Sequence, residues 1–517
     1  MKQIFLYGAP GSGKTTVGRL LAGSLNLPFF DLDKEIEKTA GQSIPEIMAD
    51  QGESAFRDFE SNELKKVSIG PASVTALGGG ALLREANRAL AESAGDVIFL
   101  DARLPILLGR LKTEAGRRPL LEGDMEEKLT DLLERRKGHY ESFNLRVTNG
   151  RITPDEIAWE IQQRLGRFHV RGMGAGYDVI VQPEGLDRLG DIMAERGVSG
   201  KLAMVVDSNV LPLYGEQVME SLLGAGFTVQ SVTIPAGEQY KTLDTVSFLW
   251  HGFLGAGLDR KSTIVALGGG VTGDLAGFAA SAFMRGIPWV GVPTSLLAMV
   301  DSSLGGKTGC DLAEGKNLIG AFHSPKLVLS DPNNLSTLPD DELCSGLGEV
   351  VKHGIIADPA LFDMCAQGYT TVKANLPEIV RRAMAVKIKV VEADPFERGL
   401  RATLNLGHTI GHALETVSGY RLRHGEAVAI GMVAEARLAE RLGIAGQGLS
   451  ETIEVTLMEL GLPVKVPPDL SPDEIIHTLQ YDKKMNSGVI RFALPVTIGE
   501  MRVGVEVENL DLAFKEV

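Results

Sequence analysis

Cysteine is nearly absent: Cys310, Cys344 and Cys365 are the only three in 517 residues. They form neither a CxxC pair nor a disulfide framework, which excludes a stapled secreted scaffold and fits a reducing, cytoplasmic setting. Positive charge is also in deficit, with 52 Lys and Arg against 67 Asp and Glu and a formal net charge of −15. Binding nucleic acid or anionic membrane by counterion release needs a basic surface, so neither class of partner is expected. Local lysine clusters remain able to serve small phosphorylated substrates. Long apolar runs are missing too. The opening MKQIFLYGAPGSGK breaks into glycines after one short run, so it reads as neither signal peptide nor transmembrane helix. No low-complexity tract or solenoid-period repeat interrupts the chain.

What is present suits several globular units. Length alone suggests roughly two to four domains. A hydrophobic content of 44% supplies packed cores, and a charged fraction of 23% is ordinary for a soluble protein. IFLY (Ile4–Tyr7) reads as a buried strand that runs through a glycine loop into a helix from Lys14. Val74–Leu82 and Val97–Ala102 repeat the strand-then-loop pattern, with amphipathic stretches such as MEEKLTDLLERRKGHY between or after them. The expectation is an α/β unit whose parallel sheet carries helices on both faces. PDEIAWEIQQRLGRF (Pro154–Phe168) reads as its closing helix, with proline in the first turn. VRGMGAGYDVIVQ then restarts a strand programme, which KLAMVVDSNV, FTVQSVTIP, STIVALGGG and IPWVGVPTS continue. Beyond residue 330 helical stretches take over, among them LPEIVRRAMAVKIKVVEADP and AVAIGMVAEARLAERLGI. The predicted organisation is 1–165, an α/β unit; 166–330, a second α/β unit; and 331–517, a mainly α-helical unit.

Gly8-Ala-Pro-Gly-Ser-Gly-Lys-Thr15 matches G-x-x-x-x-G-K-[ST] in a strand–loop–helix context. Such glycines let backbone N–H groups converge on phosphate oxygens, Lys14 adds a point charge, and the Thr15 hydroxyl suits Mg²⁺. A P-loop names the nucleotide and leaves the acceptor open. FFDLDKEIE places Asp31 and Asp33 two residues apart, expected on an extended segment with both side chains pointing one way, one toward magnesium and one toward a substrate hydroxyl. Arg57 in FRDFE, Gly78–Gly80, GRRPLL with Arg118, and ERRKGHY with Arg136 follow in order. This set resembles the shikimate kinase family over residues 1–165. The resemblance implies a P-loop kinase fold that binds ATP through Gly11, Ser12, Gly13, Lys14, Thr15, Thr16 and Arg118, the last in a lid that excludes water on closing. It also implies that Asp33, Arg57, Gly79 and Arg136 hold shikimate, with Asp33 catalytic and the planar guanidinium groups gripping the carboxylate. One departure is Asn144, where the family usually has alanine.

The later part of the chain has its own glycine signature. Gly268, Gly270 and Gly273 spell G-x-G-x-x-G directly after a strand, which suits a pyrophosphate. No acidic residue follows about twenty positions on, as the ordinary fingerprint requires; Asp207, upstream at a strand end, is the better acid. Glu238, Lys241, Arg285, Asp301, Lys307, Lys316, Asn317, Glu349, Lys352 and Lys387 then lead to RATLNLGHTIGHALETVSGYRLRHGEAVAIGM. Three of the nine histidines lie there, His408, His412 and His424. Imidazoles among arginine, asparagine and glutamate suggest a metal site handling an anionic substrate. Spacing alone nominates His408 and His412, at i and i+4, as in HExxH sites, although Thr409-Ile410-Gly411 offers no glutamate base.

From about residue 170 onward, order and wording resemble the 3-dehydroquinate synthase family. That resemblance implies a Rossmann-like subdomain binding NAD through Asp207, Glu238, Lys241, Gly269, Gly270, Val271, Asp274, Thr294, Ser295, Lys307 and Lys316. It implies zinc, or cobalt, on Glu349, His408 and His424, three ligands leaving one position open, and it gives His412 to the substrate. The implied substrate, 3-deoxy-D-arabino-heptulosonate 7-phosphate, would meet Arg285, Lys307, Asn317, Lys352, Lys387, Arg401, Asn405 and His412, plus one of Lys483 and Lys484. Lys307 and His412 are the residues expected to act catalytically. In that reaction an alcohol polarised by the metal loses hydride to NAD⁺, phosphate is eliminated with itself taking the proton, and the same NADH returns the hydride. Ring opening and aldol closure then give 3-dehydroquinate. The expectation is a bifunctional shikimate-pathway enzyme, homodimeric through the synthase part. Two alternatives stay open: another sugar-phosphate cyclase or a glycerol-type dehydrogenase in the C-terminal part, and a non-catalytic nucleotide-binding module at the N-terminal end.

Overall fold

The computed structural model describes residues 2–113, 125–150, 152–485 and 490–514. Its contacts divide into two compact units, Met1–His169 and Val170–Val517.

In the first unit, short apolar segments form a parallel sheet from β1 (Gln3–Tyr7), β2 (Phe29–Asp31), β3 (Val74–Ala76), β4 (Gly95–Asp101) and β5 (Arg146–Thr148), in the order β2-β3-β1-β4-β5. Alternation along β1 divides its side chains between two cores. Ile4 and Leu6 pack with Val17, Leu21, Ile157 and Ile161, from helices Lys14–Ser24 and Pro154–Leu165. Phe5 and Tyr7 pack on the other side with Leu32, Phe99 and Tyr140. Thr153 and Glu156 form a capping box at the start of the closing helix, and Gly166 ends it in the left-handed conformation. Arg167 and Phe168, read as helical from the sequence, therefore belong to strand β6 (Arg167–Val170). A second correction concerns Asp33. Asp31 closes β2, but helix Leu32–Ala40 begins at the next residue, because Leu32 and Ile36 bury one helical face. Asp31 and Asp33 therefore do not share an extended segment.

The second unit opens with β7 (Tyr177–Val181), β8 (Lys201–Asp207), β9 (Thr228–Ile234), β10 (Thr263–Gly268) and β11 (Trp289–Pro293). An antiparallel hairpin, β12 (Lys307–Leu312) with β13 (Gly315–Phe322), precedes β14 (Leu327–Ser330). The sheet contains the spatial run β7-β14-β11-β10-β8-β9, with every neighbouring pair parallel. Its two faces again carry separate cores, Ala203, Val205, Ile264 and Ala266 against Met204, Val206, Val265 and Leu267. After β9 the chain returns to lay β10 on the other side of β8. The direction switch thus falls between β8 and β10, where such sheets open a crevice at the strand ends.

Helices dominate from Asp340 onward, chiefly Asp340–Ala357, Leu376–Ala393, His408–Val417 and His424–Arg441. A hairpin not expected from the sequence, β15 (Arg491–Thr497) with β16 (Glu500–Glu506), joins them, and its Phe492 and Leu494 share a core with Ile410, Ile430 and Leu438. Glycines let these helices approach closely. A Cβ built on Gly431 would lie 2.1 Å from the Gly407 carbonyl oxygen, and one on Gly425 would lie 1.7 Å from that of Ser345. Among the described residues no helix is long and apolar enough to cross a membrane.

Candidate functional site

In the first unit the glycine loop links β1 to helix Lys14–Ser24. Gly11 and Gly13 adopt left-handed backbone, and Lys14 Nζ donates to the carbonyls of Gly8 and Ala9 at 2.9 and 3.0 Å. Ser12 is buried beneath the loop, while Thr16 is exposed. Thr15 Oγ1 donates to Asp31 Oδ2 at 2.7 Å, a hydroxyl–carboxylate pair suited to a hydrated magnesium ion. Asp33, Arg57 and Arg136 gather around Gly78–Gly80. A Cβ on Gly78 would stand 2.9 Å from Asp33 Oδ1, and one on Gly80 2.7 Å from Arg57 Nη1, while Arg136 Nη1 donates to the Gly79 carbonyl at 2.7 Å. Side chains on these glycines would occupy the space the polar groups need. Sequence reasoning missed Glu60, which is 1% exposed and accepts from Arg57 Nη1 at 2.6 Å. Its position three residues after Arg57 on one helix was the available signal. Arg118 lies outside the described residues.

In the second unit the switch between β8 and β10 brings Asp207 against the glycine loop. Thr272 Oγ1 donates to Asp207 Oδ2 at 3.3 Å, and Asp207 Oδ1 accepts from the N–H groups of Asn209 and Val210. A Cβ on Gly268 would meet Thr272 Oγ1 at 2.5 Å and one on Gly270 would meet Ser302 Oγ at 2.9 Å, so the loop forms a cradle that side chains would fill. Gly269 caps helix Gly270–Ala282, which carries Val271 and Asp274. Thr294 N donates to the Gly268 carbonyl at 3.0 Å, with Ser295 Oγ close by Gly269. Gly268, Gly269, Gly270, Asp274, Ser302 and Lys307 line the resulting cleft. Lys241, 4% exposed, bridges Asp274 Oδ2 at 2.7 Å and Asn317 Oδ1 at 2.6 Å. Burial pushes the Asp274 pKa up to about 6 against the pull of Lys241, and Glu238 adds negative charge nearby. Backbone exposed by glycine, an acid at the adjacent strand end and a crevice between them fit a dinucleotide.

Glu349 is fully buried on helix Asp340–Ala357, and two other helices deliver imidazoles to it. His408 Nε2 stands 3.5 Å and His424 Nε2 3.4 Å from Glu349 Oε1. Lys352 Nζ touches Oε2, yet neither Glu349 oxygen makes a well-directed hydrogen bond. Two ligand atoms about 2.1 Å from one tetrahedral ion stand roughly 3.4 Å apart. The donor set and spacing therefore fit a single divalent cation. The His408 proton is placed accordingly. His408 Nδ1 lies 3.2 Å from the Leu406 carbonyl, which can only accept, so Nε2 keeps its lone pair for the ion. Burial, then Lys352, holds the His408 pKa well below the usual imidazole range, so the ring is neutral. Burial alone would raise the Glu349 pKa, but Lys352, His408 and His424 hold it well below the usual carboxylate range. For His424 burial is outweighed by Glu349 and Glu415, which carry its pKa up to about 9.

Glu415 is the second residue that sequence reasoning missed. Its Oε2 lies 3.6 Å from His424 Nδ1 and 4.0 Å from His412 Nε2, and its Oε1 3.7 Å from Lys316 Nζ. It follows His412 by three residues and so shares its helical face. Exposure separates the histidines: the His412 side chain is 60% exposed, against 14% for His408 and 27% for His424. His412 thus faces outward beside the more enclosed pair. Asp301, Glu349 and His353 also approach one another, but Lys387 donates to both the carbonyl and the carboxylate of Asp301, which is therefore already paired.

Basic residues surround this centre. Lys352 is 1% exposed, Lys387 6% and Arg401 2%, and each stands beside a carboxylate, that of Glu349, Asp301 and Glu397 respectively. Arg401 Nη1 donates to the Pro395 carbonyl at 2.6 Å, and Glu397 pairs with both Arg401 and Lys307. β13 turns Lys316 toward Glu415 and Asn317 toward Lys241, whereas the resemblance groups Lys316 with NAD and Asn317 with the phosphate. Asn405 and Arg285 are exposed, and Arg285 forms no hydrogen bond or ion pair with the other site residues among the described residues. The side chains of Lys483 and Lys484 lie outside the described ones.

Fold and sites together define a two-unit enzyme: a P-loop phosphotransferase, and a dinucleotide-type α/β sheet followed by a helical metal centre. The shikimate kinase family model matches residues 10–166, and the 3-dehydroquinate synthase N-terminal and C-terminal models match 231–345 and 346–485. A 3-dehydroquinate synthase of Symbiobacterium thermophilum is 50% identical over 59% of this chain and 86% of its own. Among solved structures, 2-epi-5-epi-valiolone synthase from Streptomyces hygroscopicus, with NAD⁺ and Zn²⁺ bound, is 31% identical over 66% of this chain and 96% of its own, at TM-score 0.60. A 2-deoxy-scyllo-inosose synthase with carbaglucose-6-phosphate, NAD⁺ and Co²⁺ is 27% identical over 67% and 98%, at TM-score 0.61. Shikimate kinase from Acinetobacter baumannii, in complex with shikimate, is 36% identical over 32% and 92%, at TM-score 0.31. The chain belongs to the 3-dehydroquinate synthase family and carries a shikimate kinase domain in its N-terminal part. It is a bifunctional shikimate-pathway enzyme, a kinase and a cyclising lyase.

Proposed function

We propose that residues 1–165 phosphorylate shikimate with ATP, and that 166–330 and 331–517 are the NAD-binding and metal-binding parts of a synthase converting 3-deoxy-D-arabino-heptulosonate 7-phosphate to 3-dehydroquinate and phosphate. In the kinase, Arg57 and Arg136 hold the shikimate carboxylate, Asp33 orients and accepts the proton of the attacking hydroxyl, and Lys14 neutralises phosphate charge. Thr15 and Asp31 hold magnesium. In the synthase, Glu349, His408 and His424 hold the metal. When bound, the metal and NAD supply a Lewis acid and a hydride acceptor to the alcohol being oxidised. Lys352, Lys387, Arg401 and Asn405 orient the carboxylate and hydroxyls; Lys307, Asn317, Arg285 and His412 hold the phosphate that leaves. Asp207 and the Gly268–Gly270 loop position the dinucleotide.

The observation that carries this reading is the buried Glu349 carboxylate facing two imidazole nitrogens at 3.4 and 3.5 Å with Lys352 and Lys387 buried beside it. It sets a candidate cation site beside buried lysines. A two-substrate assay tests it: phosphate release from the heptulosonate phosphate with NAD and zinc but no net NADH, and ADP formation with shikimate. Steady NADH accumulation without phosphate release would sink the synthase assignment. A second reading, another sugar-phosphate cyclase, draws on the 31% identity to the valiolone synthase, and a substrate panel decides between them. A homodimer through the synthase part and a cytoplasmic location belong to the same proposal, with sedimentation velocity the check on the first.

A further inference from the structure

Glu435 is a carboxylate that neither reaction uses. It is fully buried on helix His424–Arg441, three turns from His424, and among the described residues no lysine, arginine or histidine pairs with it. Its partners are backbone amides at the start of another helix. Gly407 N donates to Oε2 at 2.6 Å and Ile410 N to Oε1 at 3.4 Å. Burial pushes its pKa up to about 8 against the pull of these N–H groups and that of Thr409.

The amides it satisfies belong to helix His408–Val417, whose N-cap is Gly407, in left-handed backbone and without any side-chain cap. Helices usually obtain this cap from their own Ser, Thr, Asp or Asn at the N-terminus. Here it is supplied across the fold, from a residue 28 positions on. Burying a polar carboxyl group costs at least as much as one cap returns, so stability alone is a poor account of the arrangement. Its geometry offers a better one. The capped turn begins with His408, and the capping helix begins with His424, the two imidazoles that face Glu349. Gly431, on the same helix as Glu435, meets the Gly407 carbonyl so closely that a Cβ there would lie 2.1 Å from it. One carboxylate therefore clamps the first turn of one histidine helix to the body of the other.

We infer that Glu435 is a positioning residue for the metal centre, fixing His408 relative to His424 by capping one histidine helix from the other. The inference rests on the ligand set Glu349, His408 and His424. Its test is titration of the full-length apo chain with Zn²⁺ or Co²⁺ against a chromophoric chelator, with the Co²⁺ d–d spectrum read alongside. Glu435→Ala should weaken metal binding about tenfold, the low end for an outer partner of a metal ligand, and shift the Co²⁺ spectrum. Glu435→Gln keeps an acceptor for Gly407 and should restore affinity and spectrum to near wild type; it also decides the matter if the alanine variant does not fold. Asp358→Ala, which removes the cap of helix Pro359–Cys365, is the stability control: its thermal midpoint should fall while its metal affinity stays. A folded Glu435→Ala chain with wild-type affinity and spectrum overturns the inference, as does a glutamine variant no better than alanine. His424→Ala separates the two layers. If it retains metal, the ligand set is wrong; if it loses metal while Glu435→Ala binds normally, only the clamp is.

Discussion

Three histidines of one motif have different exposures and therefore different tasks. His408 and His424 turn inward to Glu349, whereas His412 stands open to solvent. His424→Ala should lose zinc and synthase activity and leave kinase activity intact, as metal analysis and the two assays would show. His412→Ala should keep its metal and lose turnover on the heptulosonate phosphate; loss of zinc stoichiometry there would reverse the two roles. In the kinase, the pairing of Arg57 with Glu60 presents a fixed guanidinium plane. Arg57→Lys replaces a fork by a point charge, so the KM for shikimate should rise about tenfold with little change in kcat. At this scale the sequence discloses which side chains have chemistry to do. It does not disclose Glu415 or Glu60, whose importance lies in what they touch, nor that β13 sends Lys316 and Asn317 to opposite neighbours.

Close helix contacts set the metal centre at the scale of elements. Gly425 and Gly431 leave no room for a methyl group against Ser345 and Gly407. Gly431→Ala should therefore cost about 1–3 kcal/mol, as overpacking does, with thermal unfolding the measurement and metal affinity falling alongside. Glu435 gives the same region a pH dependence. Burial carries its pKa in the folded chain up to about 8, above the ordinary glutamate value of 4.5. The native state thus holds a proton that the unfolded chain releases, and this contribution to stability declines as pH rises from 4.5 through 8. Replacing Glu435 by glutamine should flatten that slope in denaturant titrations across the window. Strands in the sheets were legible because their apolar runs end in glycine loops, and the long helices because their periodicity is strong. The helix at Leu32 and the hairpin at Arg491–Glu506 were not, since a short amphipathic turn and a two-stranded ribbon carry little local signal.

Two chemistries on one chain should be separable at the scale of the whole molecule. Each compact unit has hydrophobic cores of its own. A fragment covering Met1–His169 should phosphorylate shikimate with a kcat/KM within a few-fold of the full chain, and a fragment that binds ATP without turnover would favour a regulatory module instead. Chelation followed by magnesium alone should abolish the synthase and restore the kinase. Local pattern in the sequence determined the strand–P-loop–helix start, the change from α/β to helical character and the identity of the reactive side chains, because periodicity, glycine placement and residue chemistry are properties of neighbours along the chain. Only the tertiary structure decided that Asp207 meets the loop after β10, that Glu349 meets two imidazoles from other helices, and that Glu435 clamps those helices together. Those contacts join residues far apart in sequence, and they depend on strand order and on how closely helices approach, which no short segment encodes.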